Sequence, residues 1–396
     1  MSWKETCPMD QKIRMIGDWL SQEYGITELR EIYGVSRKTV YKWINRYKVE
    51  GAMGLEERSR APTHHRNAIP LEIAKQLVDT KLKYQKWGPK KLVAWLKTHN
   101  PVIEWPVAST ASVILKREGL VRSRKRKRRT PAYTEPFQQC DKPNEVWSID
   151  FKGQFRTWDR KFCYPLTVTD NCSRYLLLCR GLHRPTFEES QPWLEWTFRE
   201  YGLPKAVRTD NGVPFASVGI GGLSRLSVWL IKLGIKPERI APGHPEQNGR
   251  HERMHRTLKE ATASPPGNNM REQQRSFDQF TQEYDFERPN EAIEQKTPAS
   301  VYEPSPVAYP AKVPDIEYSG DVIVKQVRTH GEIMWKGKSI FISETLIGEP
   351  VALKQIGEHL WETRFSFHPL GVLDESVWKV APLLKNKGKV SPMCPV

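Results

Sequence analysis

The sequence predicts a multidomain protein, with all-α helical units at the N-terminus, an α/β domain with a mixed sheet in the middle and a small β-barrel at the C-terminus. Three observations support this prediction. The chain has 396 residues, which is too long for one ordinary domain. Apolar residues recur at helical spacing up to about residue 121, and strand and helix patterns alternate between residues 140 and 305. From about residue 315 the patterns are almost all those of strands.

The composition is that of a folded and strongly basic chain. Hydrophobic residues make up 38% of the sequence, which is enough to form packed cores. The formal net charge of +16 favours a polyanionic partner, and nucleic acid is the most common one. A merely soluble basic protein would have the same charge, so the charge alone does not assign a partner.

The cysteines and the apolar runs argue against several classes of protein. The six Cys residues show no Cys-x-x-Cys spacing, so a zinc site is not expected. Scattered cysteines fit a reducing compartment better than a disulfide framework. The N-terminus lacks the apolar core of a signal peptide, and no run approaches the roughly 18 apolar residues of a membrane span. We therefore expect a soluble, intracellular protein.

Residues 1–58 are predicted to form a helix-turn-helix domain. Gly34 can adopt the positive φ that ends one helix, and Ser36 is a good N-cap for the next. A helix, a glycine-containing turn and a capped helix are together typical of this motif. The predicted inward-facing residues are Leu29, Ile32 and Tyr33 on the first helix and Val40, Trp43 and Ile44 on the second.

The second helix of this motif would present a polar and basic face suited to the major groove of DNA. A helical hairpin with a solvated basic face is the alternative, and the turn sequence together with the overall charge favours DNA. The predicted DNA-binding residues of this helix are Arg37, Lys38, Thr39, Lys42 and Arg46.

Residues 68–121 are predicted to form a second, winged helix-turn-helix domain, in which Ser109 or Thr110 caps the last helix. Residues 122–139 follow as a basic linker that contains the run RSRKRKRR. This run should add steeply salt-dependent DNA affinity, because each Lys or Arg on a phosphate releases counterions. A nuclear-localisation signal is the alternative interpretation. The predicted DNA-binding residues of the linker are Arg124, Lys125, Arg126, Lys127 and Arg128.

Three acids stand out in the central domain, residues 140–305. Asp150 lies near the end of an apolar strand, where a charge is costly unless it faces a cleft or a metal. Asp210 lies at the end of the next core strand, and the strand ends of α/β sheets are where ligands bind. Glu252 falls in the first turns of a predicted helix that Asn248 can cap.

These acids suit a divalent-metal site. Carboxylate oxygens without accompanying Cys ligands fit Mg²⁺ or Mn²⁺, and two such ions can hold the attacking and leaving oxygens of a phosphoryl displacement. We predict Asp150, Asp210 and Glu252 as the catalytic and metal-binding residues. Arg256 and Lys259 follow Glu252 on the same helix face and are predicted to contact DNA phosphates.

The sequence around these acids resembles the DDE transposases of bacterial insertion sequences, which are members of the retroviral-integrase superfamily. WSIDFKG, RTDNGVPF, APGHPEQNGRHERMHRTLKE and FERPNEAI…TPASVY match that family in order and cover most of residues 140–305. The resemblance implies an RNase-H-like fold and two Mg²⁺ ions, with Mn²⁺ as a substitute. It also implies 3′-end cleavage at terminal inverted repeats and strand transfer into double-stranded target DNA, by a homo-oligomer in the bacterial cytoplasm at the nucleoid. The resemblance also implies that four residues near the active site contact DNA, namely Asn211, His244, Gln247 and Asn248.

The third acid is a choice between two residues. The family's spacing leaves roughly 35 residues between the second Asp and the Glu. Residues 211–245 separate Asp210 from Glu246, which fits that spacing, whereas 41 residues separate Asp210 from Glu252. We favour Glu252, because it follows NGRH as in the family and because a helix holds a ligand more rigidly than a loop. The segment GIGGLS resembles a short insertion that accounts for the longer gap.

For several other residues of the central domain we predict structural rather than catalytic roles. Asp170 is predicted to be a turn residue, and Glu260 and Asp285 are predicted to be solvated helix charges. Trp193 and Trp196 are predicted to be core residues. Beyond this domain, the pattern predicts a small SH3-like β-barrel of five strands over residues 315–380 and a disordered tail over residues 381–396.

Two other functions are compatible with parts of this sequence. One is a catalytically inactive DNA-binding regulator, which the presence of all three acids argues against. The other is an RNase-H-like nuclease acting on hybrids or junctions, which the two preceding DNA-binding units argue against.

Overall fold

The computed structural model describes residues 7–58, 69–121 and 140–381, apart from residues 152, 211, 213–214, 216–221 and 241–248. These residues fall into two compact units, which divide after residue 70. None of the described helices is both long and apolar enough to span a bilayer.

The first unit contains a helix-turn-helix motif, as predicted. The Ser36 hydroxyl accepts a hydrogen bond from the Thr39 N–H at 3.2 Å and so caps the second helix of the motif. Gly34 has a φ of +60°, the left-handed conformation that ends the preceding helix. The helices of this unit are α1 (Pro8–Leu20), α2 (Ile26–Ile32) and α3 (Arg37–Glu50).

The core of the first unit follows the predicted pattern with one exception. Leu29 on α2 and Val40, Trp43 and Ile44 on α3 are buried, as predicted. The prediction for Ile32 is wrong, because its side chain is 55% exposed. Ile32 is the last residue of α2 and points away from the core, whereas Leu29 and the following Tyr33 pack against it.

The second unit begins with three helices around a small core. Residues 69–121 contain no strand, so the described part of this domain does not include a wing. The predicted capping by Ser109 or Thr110 is wrong, because the last helix begins at Ala108 and Val107 occupies the N-cap position. The three helices are α4 (Leu71–Lys83), α5 (Pro89–His99) and α6 (Ala108–Arg117).

Polar contacts attach these helices to the segment 283–291 of the central domain. The Trp87 Nε1–H donates to the Glu283 carboxylate at 2.9 Å, and the Lys91 ammonium donates to the Pro289 carbonyl at 2.5 Å. Burial lowers the pKa of Lys91 to about 7. The second helical domain is therefore fixed to the central domain by specific hydrogen bonds rather than by apolar packing alone.

The central domain is a mixed sheet with helices on both faces, as predicted. The strand order is β4-β3-β1-β5-β6, and β2 pairs with the start of β3. β1 is antiparallel to β3 and parallel to β5, and β5 is parallel to β6. The strands are β1 (Val146–Phe151), β2 (Phe155–Arg156), β3 (Phe162–Asp170), β4 (Leu176–Leu182), β5 (Ala206–Thr209) and β6 (Lys236–Arg239). The helices are α7 (Phe187–Tyr201), α8 (Arg225–Lys232), α9 (Gly249–Thr262) and α10 (Met270–Gln282).

The two faces of this sheet differ in polarity. Trp147, Ile149 and Phe151 of β1 pack in the main core with residues of α7 and α8, as the alternating pattern predicted. Because side chains alternate along a strand, Ser148 and Asp150 lie on the opposite face. The apolar face of β1 therefore packs in the core and holds the strand in place. Polar side chains with a functional role can lie on its other face.

Three predictions about individual residues of this domain have clear outcomes. Asp170 is the buried last residue of β3, directly before the predicted turn, and its carboxylate accepts hydrogen bonds from the N–H groups of Asn144 and Ser173 at 2.8 and 2.7 Å. The prediction for Asp285 is wrong, because this acid is fully buried, accepts from the Leu176 N–H at 2.9 Å, and has its pKa raised by burial. The prediction for Trp196 is also wrong, because its side chain is 47% exposed.

The C-terminal region contains seven strands in two sheets, rather than the five predicted strands. The larger sheet has the order β13-β12-β11-β10-β7, and β8 pairs with β9 in a separate hairpin. The pairings among the described residues do not close a barrel, so the barrel remains a prediction. These strands share an apolar cluster with Leu223, Val228 and Ile231 at α8. The strands are β7 (Ile323–Gln326), β8 (Glu332–Trp335), β9 (Lys338–Phe341), β10 (Pro350–Gln355), β11 (Leu360–Phe365), β12 (His368–Asp374) and β13 (Lys379–Ala381).

Candidate active site

Two of the three predicted acids are neighbours across the sheet. In the parallel pair of β1 and β5, Ser148 lies opposite Arg208. Continuing that register by two residues places Asp150 opposite Asp210. Adjacent strands are about 4.8 Å apart, and residues at equivalent positions point to the same face. Asp150 and Asp210 therefore both lie at the carboxyl ends of two neighbouring parallel strands, and this register predicts that their side chains meet on the polar face.

The surroundings of Asp210 disfavour its charged form. Burial raises the pKa of this carboxyl, and a hydrogen bond from the Gly212 N–H at 3.0 Å opposes that effect only in part. A Cβ at position 212 would lie 3.1 Å from Asp210 Oδ2, so the turn brings the main chain close to the carboxylate. A bound cation would stabilise the charged form of such an acid.

Helix α9 lies across the same face and is held there by polar contacts. Its inward side carries His251 and His255, which are both buried. Their Nε2 atoms lie 2.8 and 2.7 Å from the Thr167 hydroxyl oxygen on β3, and His251 Nδ1 lies 2.9 Å from the Thr169 hydroxyl. Burial lowers the pKa of His251 to about 3, so this ring is neutral at ordinary pH.

Glu252 lies in the first turn of α9, between the two histidines in sequence, and its side chain is exposed. Asp150 and Asp210 thus lie at the ends of neighbouring strands, and the meeting of all three carboxylates remains a prediction. Arg256 is exposed and Lys259 is half-buried on the same helix. Glu246, the alternative third acid, lies outside the described residues.

Sequence reasoning missed the two histidines of α9. The signal was the segment HERMH, whose His-Glu-x-x-His spacing places both rings on one helix face. On a helix this motif is also that of zinc metalloproteases, in which the two histidines bind the ion. Here Asp150, His251 and His255 have their ligand atoms within 4.8 Å of one another. Both Nε2 atoms, however, converge on the Thr167 hydroxyl, so a zinc protease site is not formed.

Only some of the predicted DNA-binding residues lie in the described part of the chain. On α3, Arg37, Lys38 and Lys42 are exposed, and Thr39 and Arg46 are half-buried. The cationic groups of Lys42 and Arg46 lie 4.5 and 5.1 Å from the centre of a Trp43 ring. The residues that lie outside the described part of the chain are Arg124, Lys125, Arg126, Lys127, Arg128, Asn211, His244, Gln247 and Asn248.

Comparison with known protein families identifies the domains. The integrase core domain matches residues 141–245, and a second description of the integrase core domain matches residues 233–298. A helix-turn-helix domain matches residues 11–63, and a homeodomain-like domain matches residues 39–115.

Relatives are found among insertion elements and retroviruses. The uncharacterized 31.7 kDa protein of insertion element IS407 from Burkholderia multivorans is 29% identical over 192 residues, which is 48% of this chain and 64% of the relative. The uncharacterized 39.2 kDa protein of insertion element IS476 from Xanthomonas euvesicatoria is 26% identical over 177 residues, 44% of this chain and 48% of the relative. The Gag-Pol polyprotein of baboon endogenous virus is 30% identical over 120 residues, 30% of this chain and 6% of the relative. The chain thus spans less than two thirds of each of these relatives.

Solved structures similar to this chain include retroviral integrases. The HTLV-2 integrase catalytic core domain in complex with magnesium is 15% identical, with a TM-score of 0.33 over 41% of this chain and 98% of that one. The simian T-cell lymphotropic virus intasome in complex with a PP2A regulatory subunit is 17% identical, with a TM-score of 0.37 over 73% of this chain and 97% of that one.

The adjoining integrase-core matches coincide with the mixed sheet that carries Asp150 and Asp210. The chain therefore carries an integrase core domain preceded by helix-turn-helix domains. Its relatives include proteins of bacterial insertion elements. The RNase-H-like core and the helix-turn-helix region predicted from the sequence are thereby confirmed.

Proposed function

We propose that this protein is a DDE-type DNA transposase. It binds the terminal inverted repeats of a mobile element, cleaves DNA at their 3′ ends and joins those ends to target DNA, acting as a homo-oligomer. The observation that carries the proposal is that Asp150 lies near the end of β1 and Asp210 directly follows β5, the parallel neighbour of β1, in an integrase core. The helix-turn-helix domains support sequence-specific DNA binding.

The residues at this position fit a divalent cation. Two hard carboxylates lie at the ends of neighbouring parallel strands. The buried Asp210 carboxyl is a group whose charge a cation would stabilise. The donor set suits Mg²⁺ or Mn²⁺. When bound, such ions would activate the attacking hydroxyl and stabilise the leaving oxygen at the scissile phosphate.

Each residue of the chain has a distinct task in this proposal. Asp150 belongs to β1 and Asp210 directly follows β5, so the central strands would hold both carboxylates in fixed positions. Glu252 would supply a third carboxylate from α9. Arg256 and Lys259, on the same helix, would neutralise DNA phosphates and so keep the backbone against the acids.

The direct test uses the full-length protein and DNA that carries the inverted repeats flanking its gene. We expect nicking at the 3′ ends and joining to a second duplex when Mg²⁺ is present, and loss of both products when EDTA removes the metal. An RNA–DNA hybrid of unrelated sequence is the control substrate and should remain intact. Binding to the repeats without any Mg²⁺-dependent nicking would instead identify an inactive regulator, and cleavage of the hybrid would identify a general nuclease.

The role of α3 gives a second prediction, about the salt dependence of DNA binding. Replacing Arg37, Lys38 and Lys42 together by Ala should lower the slope of log affinity against log salt by about 0.9 for each lost phosphate contact. Fluorescence anisotropy with inverted-repeat DNA at several NaCl concentrations measures this slope. Arg14→Ala, which removes an exposed charge from α1, is the control and should leave the slope nearly unchanged. An unchanged slope in the triple variant would show that α3 does not enter the groove.

A further inference from the structure

The hairpin formed by β2 and β3 carries the most exposed tryptophan of the described residues. The side chain of Trp158, at the tip of this hairpin, is 67% exposed, although tryptophan side chains are highly buried on average. The cationic residues Arg156, Arg160 and Lys161 are also exposed, and they outnumber the single acid of the hairpin, Asp159. An aromatic ring between cationic groups is typical of surfaces that bind single-stranded nucleic acid, because the ring stacks on a base while the cations neutralise phosphates.

The tip of this hairpin is held by main-chain hydrogen bonds to the loop between α9 and α10. The N–H groups of Trp158 and Asp159 donate to the carbonyls of Gly267 and Asn268 at 3.1 and 3.0 Å. That loop is fixed in turn by the buried Gln273, whose side-chain oxygen accepts from the Gly267 N–H at 2.8 Å. The indole of Trp158 therefore projects from a backbone that is already ordered, which lowers the entropic cost of binding a ligand there.

The hairpin lies beyond the carboxyl end of β1, at the end of the sheet where Asp150 is found. Asp150 pairs with Thr167, and β3 begins at Phe162, five residues before Thr167. At about 3.3 Å per residue, the hairpin is about 17 Å from the level of Asp150 along the strand. Successive nucleotides of a DNA strand are about 3.4 Å apart, so the hairpin lies within about five nucleotides of a phosphate held at Asp150.

Helix α9 connects the acids with the hairpin. His255 contacts β3 at the level of the acids, and Leu258, about one turn later, belongs to the apolar cluster against which Phe155 of β2 packs. The helix therefore runs from the acids toward the hairpin. Arg256, which is exposed, and Lys259, which is half-buried, lie on this stretch of the helix. Cationic side chains are thus available to DNA phosphates along the whole distance.

We propose that the tip of the β2–β3 hairpin binds an unpaired DNA base, which stacks on the indole of Trp158 while the neighbouring cations bind phosphates. A base inside an intact duplex is already stacked on both faces, so the indole takes a base that has left the duplex. The ligand is therefore a single-stranded segment next to the phosphodiester bond at the acids. The position of the DNA rests on the proposed function, whereas the stacking contact itself needs neither a metal ion nor cleavage.

The test compares single-stranded and double-stranded DNA as ligands of the full-length protein, by fluorescence anisotropy without divalent metal. The probes are a labelled oligothymidylate and a labelled duplex of unrelated sequence. Trp158→Ala should weaken binding of the oligothymidylate about 5- to 100-fold and change binding of the duplex by less than about twofold. Trp158→Phe should restore most of the lost affinity, because it keeps an aromatic ring. Trp196→Ala removes the exposed tryptophan of α7 and is the matched control, which should bind both probes as the wild type does.

A second measurement uses the wild-type protein and needs no variant. Ultraviolet irradiation of the protein with a single-stranded oligonucleotide that contains 5-iododeoxyuridine should cross-link the base to Trp158. Mass spectrometry of the digested protein identifies the cross-linked residue.

Three results would overturn this inference. The first is a set of cross-links in which Trp158 never occurs. The second is an equal loss of affinity for both probes in folded Trp158→Ala, which would mean that no unpaired base is recognised. The third is unchanged binding of the oligothymidylate by that variant. If that variant also lost self-association, the indole would be a contact between copies of the chain.

Each of these results would leave the transposase proposal intact if the wild-type protein still cleaved DNA at the inverted repeats. Stacking on Trp158 in a protein that cleaves no DNA would support the role of the hairpin and contradict the transposase proposal.

Discussion

Replacing Asp150 or Asp210 by Asn is expected to reduce DNA cleavage and strand joining about 1,000-fold, a loss of about 4 kcal/mol of transition-state stabilisation. Asn keeps the size of the side chain but removes the negative charge that attracts a divalent cation. The two acids lie at equivalent positions on neighbouring parallel strands, so each should be as damaging as the other. Binding to inverted-repeat DNA, measured by gel shift, should survive, because neither acid belongs to the helices predicted to read the DNA sequence.

Asp278→Asn is the matched control for these two variants. Asp278 is an exposed acid on α10 of the same domain, and its substitution should leave cleavage within about twofold of wild type. If cleavage by either Asp150→Asn or Asp210→Asn stayed close to that of this control, the paired acids would not be catalytic.

The third acid gives the second large expected effect. Glu252→Gln should lower cleavage by about 100- to 1,000-fold, whereas Glu246→Gln should retain most activity. The reason is that Glu252 belongs to α9, which the Thr167 and Thr169 hydrogen bonds fix against the strand of Asp150. A helix anchored in this way can present a carboxylate at a constant distance.

These two variants are controls for each other, since both remove one negative charge from neighbouring parts of the chain. The rate of 3′-end nicking under single-turnover conditions distinguishes them. A severe loss of nicking in Glu246→Gln, together with near-normal nicking in Glu252→Gln, would contradict this assignment. Glu246, which the family's spacing favours, would then be the third acid.

The positions of Asp150 and Asp210 could be predicted from local patterns alone. The alternation of Trp147, Ile149 and Phe151 gives β1 one buried face, so Asp150 must lie on the other. Asp210 directly follows the apolar strand β5. The sequence does not contain the register that makes the two residues neighbours, because pairing between distant strands depends on the whole sheet.

Other features of the fold depend on tertiary contacts, which local sequence patterns do not predict. Helix α10 is polar in sequence, and Gln273 occupies one of its core positions because its amide bonds to the Thr262 carbonyl at 2.9 Å and the Gly267 N–H at 2.8 Å. Asp285 was misassigned for the same reason, since only its bond to Leu176 explains a buried acid. The histidines of α9 are a different case, because their spacing was present in the sequence and was overlooked.

The most direct test of the central claim is the anomalous scattering of Mn²⁺ in crystals of the full-length protein. We predict a peak about 2.2 Å from one carboxylate oxygen of Asp150 and one of Asp210. A Mn²⁺ ion bound at His251 and His255 and remote from Asp210, or no ion near Asp150 at saturating Mn²⁺, would contradict this account of the site.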